Sequence, residues 1–70
     1  MDETIAAIEA TLDANNGVMS WDKMLEAVGF QNRRFVVPAL AQLKAEGKAF
    51  RQVRATPEGN AVFEIVRTRS

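Results

Sequence analysis

Six cations lie between residues 33 and 54, Arg33, Arg34, Lys44, Lys48, Arg51 and Arg54, with the amides and hydroxyls of Gln31, Asn32, Thr56 and Asn60 set around them. Guanidinium and ammonium groups attract phosphate oxygens, which gives salt-dependent affinity for nucleic acid. Arginine also presents paired donors to guanine edges in the major groove, and Asn or Gln does the same for adenine. Phosphate contact and base readout are the chemistry these residue types suit. Catalysis is not. The chain has no His, Cys or Tyr, which leaves proton transfer to carboxylates or lysine and nucleophilic attack to Ser20, Thr or Lys. Ser20 reads better as a helix cap. Asp22 and Glu26, at i and i+4, read as a solvated helix face and make no metal-ligand spacing. No enzyme activity, metal, cofactor or small-molecule substrate is therefore expected.

The net charge of zero is a cancellation. Residues 1–30 hold one cation, Lys23, against six acids (Asp2, Glu3, Glu9, Asp13, Asp22, Glu26), giving −5. Residues 31–70 hold eight cations against three acids (Glu46, Glu58, Glu64), giving +5. Such a split implies either a basic face for an anionic partner or two halves that attract each other. With 70 residues, 47% of them apolar, the chain suffices for one small core and so for a single domain over residues 1–70. Without cysteine there is no disulfide framework. No apolar run reaches the ~18 residues of a membrane span, and no signal-peptide pattern opens the sequence. A cytoplasmic protein without a membrane partner is the expectation.

The elements that would position these residues follow from periodicity. Ile5, Ile8 and Leu12 form an apolar stripe, so a first helix is predicted over about residues 3–14, capped by Asp2 or Thr4 and stopped by Asn15-Asn16-Gly17. Val18-Met19 is too short to promise more than a β-bridge. Ser20 caps a second helix over about 21–28, with Met24, Leu25 and Val28 as its stripe and Gly29 at its end. Trp21 is expected to plug the junction between helices rather than stack on a base.

Val36, Ala39, Leu40 and Leu43 then recur at i, i+3, i+4 and i+7, the mark of a third helix with one buried face. Asn32 is its candidate N-cap, Arg33 and Arg34 its first turn, and Gly47 its stop. Cations in a first turn oppose the helix dipole, which hints at a role outside the helix. Pro38 falls inside the pattern. A single helix kinked at Pro38 is the favoured expectation; a helix starting at Val37, with 31–36 as a separate turn, is the other. Taking Val36 as inward, the outward positions are Gln31, Arg34, Pro38, Ala41, Gln42 and Ala45.

After Gly47 the period changes. Strands are predicted over 48–54 and 61–67, joined by the turn formers of Thr56–Asn60. Thr68-Arg69-Ser70 reads as a frayed tail.

Helix, short strand, helix, turn, helix and two-stranded hairpin, in that order, resemble a winged helix-turn-helix domain. The stretch Ser20–Phe30, ending in apolar-Gly-apolar, resembles the second helix of that family. Val36-x-x-Ala39-Leu40-x-x-Leu43-x-x-x-Gly47-x-x-Phe50 resembles its third helix running into the wing. The resemblance covers essentially the whole chain and implies an α+β fold, a three-helix core with a C-terminal two-stranded β-hairpin wing. It also implies sequence-specific double-stranded DNA binding, with the third helix in the major groove and the wing on the backbone. The residues then expected at the DNA are Gln31, Asn32, Arg33, Arg34, Lys44, Lys48, Arg51, Arg54, Thr56 and Asn60. A stand-alone domain of this kind would act as a small transcriptional regulator or recombination accessory factor. Two features depart from the family pattern: Pro38, and the small apolar groups on the outer face of the third helix. They suit the second reading, a winged-helix interaction module for a protein partner or a homodimer.

Overall fold

The computed structural model describes residues 1–68, and it opens with helix α1 over Asp2–Ala14. Asp2 and Glu3 lie in its first turn, where carboxylates meet the positive end of the helix dipole. Its buried stripe is Thr4, Ile8 and Leu12, with Ile5 half-buried beside it. Neither expected cap holds: Met1 occupies the cap position without a side-chain bond. Thr4 instead sits inside the helix, fully buried, and its hydroxyl has no partner among the described residues. Asn16 and Gly17 end the helix at positive φ (59° and 86°).

Val18–Ser20 is strand β1, followed directly by helix α2 over Trp21–Val28. Ser20 Oγ accepts the Lys23 amide at 3.1 Å, so the predicted cap holds. Met24 and Val28 are buried and Leu25 packs half-buried against the core.

The next segment corrects the single kinked helix. Phe30–Phe35 forms a 3₁₀ turn, and helix α3 begins only at Val36, running to Ala45. Asn32 does not cap α3; its side-chain amide donates backward to the Val28 carbonyl at 3.1 Å, closing the end of α2. Pro38 thereby becomes the third residue of α3. The first N–H groups of any helix lack an intrahelical partner, so the N–H missing from proline breaks no bond and no kink is required. Val36, Ala39 and Leu43 are buried as predicted, and Leu40 is half-buried.

Strands β2 (Ala49–Ala55) and β3 (Ala61–Arg67) form the hairpin. The sheet has three strands rather than the expected two. β1 pairs antiparallel with β3 over Val18↔Val66, Met19↔Ile65 and Ser20↔Glu64, giving the order β1-β3-β2. Met19 and Ile65 share one sheet face with Ala49, and all three are buried against the helices. The sheet thus closes the core that α1, α2 and α3 open. Thr68, expected in a frayed tail, donates its N–H to the Lys48 carbonyl at 3.0 Å. Arg69 and Ser70 lie outside the described residues. Among the described residues no helix is long and apolar enough to cross a membrane.

Candidate functional site

The ten residues predicted to contact DNA divide by what already holds them. Gln31, Arg33 and Arg34 stand exposed in the 3₁₀ turn and line a shallow depression with Phe30. The two arginines lie not in a helical first turn but before it, each against an aromatic ring: Arg33 Cζ is 5.7 Å from the Phe30 centroid and Arg34 Cζ 4.8 Å from that of Phe35. Stacking of this kind orders a guanidinium while leaving its charge uncompensated. Lys44, in the last turn of α3, and Arg51, on β2, converge on a cleft of about 240 Å³ that also meets Trp21, Val37, Leu40 and Ala41. Arg51 Cζ lies 5.9 Å from the Trp21 ring centroid. Trp21 is half-buried and packed against the core, as expected of a junction plug, and in addition it carries this arginine.

Three cations are engaged with carboxylates: Lys48, Arg54 and Arg67. Lys48 Nζ lies 3.3 Å from Glu46 and 3.9 Å from Glu9. Arg54 Nε donates to Glu64 Oε1 at 3.2 Å, an oxygen that also accepts from Gln52 Nε2. Arg67, on β3, pairs with Asp13 of α1. The Lys48 and Arg67 pairs are exposed at both ends and contribute at most ~1 kcal/mol each to stability, whereas the Glu64 side chain of the third pair is only 12% exposed. Their effect on an anionic partner is larger in kind, because each carboxylate cancels the nearby positive potential. Lys48–Glu9 and Arg67–Asp13 also show that part of the charge split is spent inside the fold, one half against the other.

Three further predicted residues serve the backbone. Asn32 closes α2, as described. Thr56 Oγ1 accepts the Asn60 N–H at 3.1 Å and the Thr56 N–H donates to the Asn60 carbonyl at 2.8 Å, so the two residues build the hairpin tip. Gln42, outward in the sequence reading, is half-buried with its amide on Glu46 at 3.2 Å. Among the described residues, Arg33, Arg34, Lys44, Arg51 and, on α2, Lys23 are the cations without a carboxylate partner.

Sequence reasoning placed small apolar groups, Pro38, Ala41 and Ala45, on the outer face of the third helix, and all three are exposed. It did not reach Phe30, which is 84% exposed. Val37, one residue out of phase with the stripe Val36–Leu40–Leu43, is 70% exposed beside them. The class this fold and site define is a small α+β domain whose last helix shows solvent an apolar face rimmed by unpaired cations. No protein-family model matches the chain, and neither a curated protein nor a solved structure matches it.

Proposed function

We propose that the chain is a winged-helix domain that binds double-stranded DNA, with α3 in the major groove and the hairpin against the backbone. The observation that carries this reading is the set of four unpaired cations around α3: Arg33 and Arg34 before its start, Lys44 at its end and Arg51 beside it on β2. A helix of this length spans about 15 Å and the groove is about 12 Å wide, so cations at both ends meet phosphates on both walls. Small residues at Pro38, Ala41 and Ala45 permit close approach. Arg54 and Lys48, tied to carboxylates, contribute less than their charge suggests. The wing's backbone contact therefore falls to Arg51, with the Asn60 side chain at the tip. In a domain this small such binding serves a transcriptional regulator or a recombination accessory factor.

Titration of a fluorescently labelled random duplex at low and at physiological salt tests the proposal. Binding that weakens steeply with salt is expected. The interaction-module reading is favoured by one observation, the exposure of Phe30 and Val37 on an unpartnered face. Absence of duplex binding even at low salt would turn the assignment to that reading.

A further inference from the structure

The exposed arc of α3 offers almost nothing that hydrogen-bonds a base. Val37, Pro38, Ala41, Lys44 and Ala45 make up that arc, and of these only Lys44 carries a polar group. Gln42, at its edge, spends its amide on Glu46. Phe30 extends the apolar surface beyond the leading end of the helix, 84% exposed and flanked by Arg33 and Arg34. A polyanion is the partner that complements the unpaired cations on the rim, yet the surface inside the rim is hydrocarbon. One chemical group in the major groove suits hydrocarbon, the thymine C5-methyl, which protrudes there and marks A·T pairs by apolar contact.

We infer that Val37 and Ala41 on α3, with Phe30 ahead of it, select DNA by desolvating thymine methyl groups, while Arg33, Arg34, Lys44 and Arg51 hold the phosphates. This inference rests on the DNA-binding reading and assigns its sequence preference. Val37 and Ala41 are four residues apart and so lie one above the other on the helix, which matches them to methyls on neighbouring base pairs. The preference is for the position of a methyl group and not for a donor–acceptor pattern. A cytosine methylated at C5 satisfies it as thymine does.

Three versions of one short mixed-sequence duplex test this by fluorescence anisotropy: unmodified, with uracil replacing every thymine, and with 5-methylcytosine replacing every cytosine. Uracil keeps the charge and hydrogen-bonding edge of thymine and lacks only the methyl. The unmodified duplex should bind about fourfold tighter than the uracil version for each methyl desolvated, and the 5-methylcytosine version tighter still. Val37→Thr keeps the side-chain shape at an exposed position and puts a hydroxyl in place of one methyl; it should narrow the thymine-to-uracil ratio. Arg34→Ala should weaken all three duplexes and leave that ratio unchanged. Equal affinity for the thymine and uracil duplexes, or a ratio untouched by Val37→Thr, would overturn the inference while duplex binding stood. No binding to any version would overturn it together with the DNA reading, and would point to a protein on this face.

Discussion

The Asn32 side-chain amide donates to the Val28 carbonyl at 3.1 Å, and this bond fixes where α2 ends and how the chain turns toward α3. An Asn that opens a helix accepts from backbone N–H groups; this one donates to a carbonyl. The distinction is measurable. Asn32→Ala should cost ~1 kcal/mol, the worth of an ordinary hydrogen bond. Asn32→Asp should cost more, because a carboxylate cannot donate and meets the carbonyl end of α2. At an N-cap, Asp would be tolerated as well as Asn. Chemical denaturation of the three proteins separates the two roles, and an Asp variant as stable as wild type would show that Asn32 caps α3 after all.

The core gives a second test. Leu43 is fully buried whereas Leu40 is half-buried at the cleft beside Trp21. Leu43→Ala should cost ~2–5 kcal/mol by opening a cavity, enough to remove much of the stability of so small a domain. Leu40→Ala should cost clearly less, since solvent already reaches that site. Denaturation midpoints in the reverse order would mean that α3 is rotated from the phase described.

Thr4 predicts a gain. Its hydroxyl is buried without a partner among the described residues, and desolvating such a group costs ~1–3 kcal/mol. Thr4→Val keeps the shape and β-branching and removes the unpaired group, so the thermal midpoint should rise. A fall would show that the hydroxyl has a partner in solution.

Pro38 should prove quiet. In the first turn of α3 its ring restricts the unfolded chain without breaking a helical bond, so Pro38→Ala should lower stability by ~0.4–1 kcal/mol. A clear rise would revive the kinked helix.

How far the chain could be read depends on whether the cause of each element is local. The stripe of α1, the Ser20 cap and Gly29 stop of α2, and the β-branched run of β3 all lie within their own segments, and all were legible. The start of α3 was legible only as one of two readings. Asn32 followed by two arginines and an apolar stripe looks like a helix opening, whereas Pro38 also allows a start at Val37 after a separate turn; the 3₁₀ turn over Phe30–Phe35 and the direction of the Asn32 hydrogen bond favour the second. β1 exists because Val18–Ser20 meets Val66–Glu64 from the other end of the chain, a pairing no local pattern announces. The candidate site divides in the same way. Arg33 and Arg34 could be singled out by type. That Lys48, Arg54 and Arg67 are answered by Glu9, Glu64 and Asp13 depends on contacts between distant elements.

The proposed hold on DNA by the unpaired cations around α3 is read in the salt dependence of duplex binding. Affinity for a random duplex should fall with a log–log slope of about −3 to −4 between ~50 and ~200 mM salt, as expected for some four phosphate contacts. Arg34→Ala should flatten that slope by about one contact, and Arg54→Ala, already paired with Glu64, should leave it nearly unchanged. No binding at the lowest salt, or equal flattening by the two substitutions, would contradict the account.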